Sequence, residues 1–180
     1  GRLSDATEPY IRLSPWDPQV RQQVTDIYED LARYASFNGI LFHDDAVLTD
    51  VDDAGQAASQ NTTRQKSRLL IGFTHALGLA VKHIRGPQIQ TARNLFALPI
   101  LQPESEAWFA QNLDDFLAEY DWTVPMAMPL MESVPVDESN AWLTRLVKAV
   151  AERPGARNKT IFELQAWDWG QKPPRAVSDS

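Results

Sequence analysis

His43, Asp44 and Asp45 stand together directly after a short apolar run, Gly39-Ile40-Leu41-Phe42. Two adjacent carboxylates repel each other, so one of them is expected to titrate away from its ordinary range, which suits acid/base work. The competing interpretation makes Asp44 a helix cap and Asp45 a solvated charge. Similar groups follow the other apolar runs. Tyr10 lies by the first, Arg93 and Asn94 close the third, Glu132 follows the fourth, and Gln165, Trp167, Asp168 and Trp169 follow the fifth. Trp108 lies in the first turn of a helix whose buried face does not need it. Carboxylates flanked by indole rings can cleave a glycosidic bond while the rings hold apolar sugar faces. Each residue also has a plainer reading. Glu132 is then a solvated loop residue, Trp142 is core, and Trp167 and Trp169, two apart on an extended segment, form a core edge. His75 and His83 read as surface groups. No second histidine stands at ligand spacing from His43, so no metal is expected, nor any other cofactor. A serine-hydrolase triad lacks its Gly-x-Ser-x-Gly.

The elements that must position these groups are legible as an alternation. Asp17-Pro18 opens a helix with Val20, Val24, Ile27, Leu31 and Tyr34 on one face, and Asn38-Gly39 is expected to end it. Ile40 to Asp45 reads as a strand buried on both faces. Leu48 to Thr63 reads as a polar loop. Leu69, Phe73, Leu77, Val81 and Ile84 mark a second helix stopped at Gly86-Pro87. Ile89 to Leu98 is the next strand. A single third helix is expected from Pro103 through Tyr120, with Ser105 as cap. Trp122 to Met128 is a strand, Asp137 to Glu152 a helix, and Thr160 to Ala166 the last strand, with a flexible tail from Gln171. Strand after helix after strand predicts a parallel α/β sheet with right-handed crossovers. No glycine-rich phosphate loop follows a strand, which lowers the nucleotide-binding version. The reading is a (β/α)8 TIM-type barrel of which this chain holds only part, since eight strands need ~250 residues. An open sheet with an unrelated small-molecule ligand is the weaker alternative.

Composition narrows the partners. The net charge of −7 argues against nucleic acid and fits a neutral or cationic ligand. There is no cysteine, which removes thiolate metal sites, thiol nucleophiles and disulfides. No apolar stretch approaches a membrane span, and the chain opens without a signal peptide, as though inside a longer protein. Six tryptophans exceed what a core of this size needs.

Several long stretches resemble one family. They are Arg12-Leu-Ser-Pro-Trp-Asp-Pro-Gln-Val-Arg21, Gly39-Ile-Leu-Phe-His-Asp-Asp-Ala46, Thr91-Ala-Arg-Asn-Leu-Phe-Ala-Leu-Pro99, Gln102-Pro-Glu-Ser-Glu-Ala-Trp-Phe-Ala-Gln111 and Met126-Ala-Met-Pro129. Together they resemble the C-terminal domain of the PgaB family, the poly-β-1,6-N-acetyl-D-glucosamine (PNAG) N-deacetylases of biofilm systems. The resemblance runs from Tyr10 to Trp169. It implies a glycoside hydrolase-like (β/α)8 domain, residues 1–180 being a single partial copy, that binds and in some members cleaves partially deacetylated PNAG. It implies a periplasmic, outer-membrane-associated protein whose partners are the polymer, its own N-terminal deacetylase domain and an export porin. The deacetylase site is not expected here, because the chain has no Asp with a His-x-x-x-His pair. By position, the groove residues fall on Tyr10, Asp44, Asp45, Trp108 and Trp169, with Glu132 beside them. Asp44 or Asp45 is the essential acid, and His43, Arg93, Asn94 and Trp167 complete the candidate substrate contacts. The segment Asp53–Gln65 is shorter than the family pattern. A non-catalytic module that guides the polymer remains the alternative function.

Overall fold

The computed structural model describes residues 12–43, 47–49 and 62–177. Tyr10, Asp44 and Asp45 lie outside the described residues, as does most of the polar loop after Thr49.

Four parallel strands form one sheet in sequence order: β1 (Gly39–Phe42), β2 (Gln90–Leu95), β3 (Trp122–Ala127) and β4 (Glu163–Leu164). Helices α1 (Pro18–Tyr34), α2 (Thr63–Arg85), α5 (Leu113–Glu119) and α6 (Ser139–Ala151) cover one face. Short helices α3 (Leu98–Leu101) and α4 (Glu106–Phe109) ride on the loop after β2. Strand order following chain order, with helical crossovers, is the arrangement of half a (β/α)8 barrel.

Local chemistry explains the boundaries. Asp17 caps α1 by accepting from the Gln19 N–H at 2.8 Å, with Pro18 in the first turn. Thr62 and Gln65 close a reciprocal capping box on α2. Gly86, at φ 102°, ends that helix in a conformation that disfavours a side chain. The first helix ends earlier than its sequence signal. It stops at Tyr34, while Gly39 opens β1 and lies so close to β2 that a Cβ there would meet the Gln90 carbonyl oxygen at 3.0 Å. That glycine serves strand packing, not helix termination.

The expected single helix over 103–120 is three pieces. A 3-10 turn (Pro103–Ser105) leads into α4, Ala110 turns left-handed at φ 52°, and α5 restarts under its own cap. That cap is Asn112, which accepts from the Asp115 N–H at 3.0 Å, and Ser105 makes no capping bond. The last strand is also shorter than expected, with a lone bridge at Thr160 before β4. The tail is not structureless. Trp167–Asp168 (β5) pairs antiparallel with Arg175–Ala176 (β6).

The core lies between sheet and helices. Ile40 and Phe42 of β1, Leu95 of β2 and Ala127 of β3 meet Leu77 and Val81 of α2, Phe116 and Leu117 of α5, and Trp142, Leu146 and Val150 of α6. Burying each of the larger of these side chains contributes about 1.5–3 kcal/mol. Strand β1 is therefore buried on one face only: Leu41, between Ile40 and Phe42, is 47% exposed on the other. The expected two-sided burial gives way to period-two alternation. The face away from the helices is the inner face of the barrel, and the carboxyl ends of its strands carry the candidate site.

Candidate active site

Period-two alternation decides which strand residues reach the inner face. Phe42 stacks on Tyr28 of α1, with centroids 5.9 Å apart, so its register partner Arg93 shares the helix side. Arg93 is 1% exposed, and its guanidinium lies over the Phe116 ring at 5.5 Å. It is a buried cation behind the sheet, not a groove contact, which corrects the sequence reading. Asn94, the next residue, points the opposite way.

Asn94 donates through Nδ2 to the carboxylate of Glu163 on β4. In register terms the bond bridges β3, since Asn94 pairs with Val124 and Glu163 pairs with Met126. Val124 and Met126 are buried beneath it. This part of the inner face is thus apolar, crossed by one amide–carboxylate bond.

Two residues on, Gln165 ties loops together. Its Oε1 accepts from the N–H of Leu130 at 3.1 Å and of Met131 at 3.3 Å, and its Nε2 donates to the Trp167 carbonyl at 2.8 Å. One side chain thereby fastens the loop after β3 to the segment after β4. The first of these loops is tight. Ser133 sits at φ 58°, and the Val134 N–H donates to the Pro129 carbonyl at 2.9 Å. It carries Glu132, whose carboxyl is pushed above its usual range by burial alone. A carboxyl kept neutral to higher pH is a suitable proton donor.

The aromatic groups stand on the same end. Trp108 on α4 is 51% exposed, and Trp167 and Trp169 are 49% and 54% exposed. Trp167 lies in β5, whose hairpin is closed by the Val177 N–H donating to the Ala166 carbonyl. The α4 segment is held from below. Phe109 stacks on Phe96 with centroids 4.6 Å apart, and the buried Gln111 accepts from the Phe96 N–H at 3.0 Å. The Leu48 N–H donates to the Phe109 carbonyl, joining the loops after β1 and β2. His43 is exposed directly past β1.

Of the predicted groups, His43, Trp108, Glu132, Trp167 and Trp169 lie on loops at the carboxyl end of the sheet, and Asn94 lies on its inner face. Trp142 is core, as its spacing predicts, and His75 and His83 are surface groups. The sequence reading missed Glu163 and Gln111. Glu163 had a signal, because Glu163, Gln165 and Trp167 repeat at period two along one extended segment. Gln111 follows a left-handed alanine, which no sequence pattern here announces. Among the described residues, no group of three or more His, Asp or Glu is placed to hold a metal.

Residues 2–63 and 58–179 match the model of hypothetical glycosyl hydrolase family 13 (GHL13). The chain is 50% identical, over 90% of its length, to the poly-beta-1,6-N-acetyl-D-glucosamine N-deacetylase of Escherichia coli strain K12, and equally to that of strain O157:H7. It spans 27% of the length of those curated relatives. Among solved structures, it superposes on the PgaB (BpsB) glycoside hydrolase domain from Bordetella bronchiseptica with a TM-score of 0.84 and 36% identity. That match covers 97% of this chain and 56% of the other.

Proposed function

The chain belongs to hypothetical glycosyl hydrolase family 13, and from that premise we propose that it binds and hydrolyses partially deacetylated PNAG, as the C-terminal part of a PNAG N-deacetylase. One observation carries the reading from the geometry. Three half-exposed tryptophans stand on the loops at the carboxyl end of a half-barrel, together with a half-buried carboxyl, Glu132. The rings suit the apolar faces of successive sugar units. In the reaction, the bond between the anomeric carbon and the glycosidic oxygen breaks, a carboxylic acid gives its proton to the departing oxygen, and water supplies the hydroxyl of the new reducing end. Glu132 and the Asp44–Asp45 pair are the carboxyls assigned to this work. The second role falls to another of these carboxylates or to the substrate's own acetamido group. Deacetylation belongs to the remainder of the protein, at the periplasmic side of the outer membrane, with the product passing toward an export porin.

The relatives' names support the polymer, and the acidic balance of the chain fits its free amines. The test is mass spectrometry of partially deacetylated PNAG after incubation with the protein and with an Asp44→Asn, Asp45→Asn double variant. Shorter oligosaccharides from the parent and none from the variant are expected. No cleavage by the parent, with binding retained, overturns the enzyme reading and leaves a module that guides the polymer.

A further inference from the structure

Lys66 has a setting that the packing of the helix layer does not call for. It is 3% exposed, and it and Arg93 are the buried cations among the described residues. It is the fourth residue of α2, near the end of the helix where the backbone dipole is positive. Burial and the dipole both work against an ammonium there. An apolar side chain of similar length would avoid both costs, so the ammonium is accounted for by what it binds. Its Nζ donates to the Thr49 carbonyl at 2.8 Å, in the loop after β1. The neighbouring Leu48 is fully buried with Leu70 of α2 and with Ala110. Its N–H donates in turn to the carbonyl of Phe109, the residue after Trp108. A path of contacts therefore runs from the start of α2, through residues 48 and 49, to α4. That helix needs outside support. It is four residues long, has no side-chain cap and ends at the left-handed Ala110, and four residues do not hold a helix alone.

We propose that Lys66 is a positioning residue for Trp108. Lys66 fixes Thr49 against α2, Leu48 is thereby held under α4, and the Phe109 carbonyl is tied down one residue from the exposed ring. The sugar contact of that ring rests on the proposed PNAG reading, whereas the path from Lys66 to Phe109 rests on the geometry alone. Lys66 acts on this account through the loop and not through contact with the polymer. A charged donor suits the task, because a hydrogen bond from an ammonium is stronger than one from a neutral group and the site around it is dry.

The test has two arms, both on the full chain. The first is hydrogen exchange of the Leu48 amide without any ligand. In Lys66→Met it should exchange about tenfold faster or more, the size expected from losing one charge-assisted hydrogen bond, while the amides of β2 keep their protection. Lys66→Arg, which keeps a charged donor, should stay near the parent. The second arm is a double-mutant cycle with Trp108→Ala, read as affinity for a partially deacetylated β-1,6-linked oligomer. Lys66→Met should weaken binding in the parent by no more than Trp108→Ala does, and should cost nothing further once Trp108 is gone. Unchanged exchange at Leu48 overturns the path. Faster exchange in β2 as well makes Lys66 part of the packing and overturns its positioning role. Additive losses in the cycle overturn the assignment to Trp108. A parent that binds no oligomer overturns the PNAG reading and the substrate half of this inference, and the exchange arm still decides the path.

Discussion

Arg93 and Asn94 are neighbours in the chain and opposites in the molecule. Arg93 goes back among the aromatic rings of the helix layer, and Asn94 goes forward to Glu163 on the inner face. The two faces of one sheet are built to different ends. On the helix side, polar groups are enclosed by rings and by one another. Tyr28 and Tyr120 are both pushed up, first by burial and against the opposing pull of the Arg93 charge, and the Tyr120 hydroxyl meets Thr74 at 2.6 Å. On the inner side and its loops, rings are half exposed, and among the described residues the Glu132 carboxyl has no hydrogen bond to offset its burial and Glu163 has no ion pair. The comparison teaches that burial alone does not mark the core here. What separates the faces is the setting of their large side chains: rings and Arg93 are enclosed on the helix side, while the tryptophans stand half in water at the other.

The largest effect expected from breaking this distinction is on the helix side. Phe116 is 1% exposed, meets Tyr120 edge-on at 5.3 Å and carries Arg93 above its ring. Phe116→Ala should cost about 3–5 kcal/mol of stability, read from chemical denaturation. A loss below 1 kcal/mol would mean that the layer can collapse around the gap and that the core placement is wrong.

Glu132→Gln addresses the other side. It should lower kcat by at least about 100-fold, with the unfolding midpoint unchanged, if this carboxyl gives the proton. The pH dependence follows from the direction of its shift. The neutral form is the active one and burial raises the pKa, so activity should persist above the usual carboxylate range and fall as pH rises through the raised value. In Glu132→Gln that alkaline limb should vanish from the residual rate. An unchanged limb would remove Glu132 from the proton transfer.

Trp169→Ala should weaken oligomer binding by a smaller factor, about tenfold, the loss of one stacked ring. Stability should barely change, because half of the ring is already in water. If the variant instead unfolds easily, the hairpin rings belong to the packing and the comparison loses one of its exposed members.

The fold was legible where local signals agreed with the global arrangement. Asp17-Pro18, Gly86-Pro87 and the helical spacing of Leu77 and Val81 each placed an element correctly, because capping and amphipathic burial act within a few residues. The piecewise stretch from Pro103 to Tyr120 was not legible. Its apolar spacing is helical throughout, and only the left-handed Ala110, held between the Leu48–Phe109 and Gln111–Phe96 bonds, breaks it. Those bonds come from other loops. The site shows the same division. Exposed tryptophans and a loop glutamate were readable as types, but Arg93 and Asn94 were read together because adjacency in the chain hides the face each one takes. Glu163 was passed over although it stands two residues before Gln165 and four before Trp167, because the expected strand over 160–166 placed it in the strand's interior and not at its carboxyl end.

The smallest expected effect tests whether the amino end of the sheet is purely structural. Asp121 precedes β3 and accepts from the Thr91 N–H at 2.8 Å and from the Thr91 hydroxyl at 3.1 Å, with the Lys82 ammonium 3.7 Å away. Burial works to raise its pKa, but these hydrogen bonds and the nearby Lys82 and Lys159 charges outweigh it and hold the carboxyl below its ordinary value. A lowered folded-state pKa means that the ionised form favours the fold. The contribution is therefore complete above the ordinary carboxylate range and is lost as pH falls through the lowered value. Asp121 is nearly half exposed, so solvent screening keeps the ionic part small, and Asp121→Asn should cost about 1 kcal/mol or less near neutral pH. The difference from the parent should close in strong acid, and cleavage and oligomer affinity should be untouched at any pH where both are folded. A change in cleavage without a change in stability would show that the two ends of the sheet are coupled, and the division of labour between them would fail.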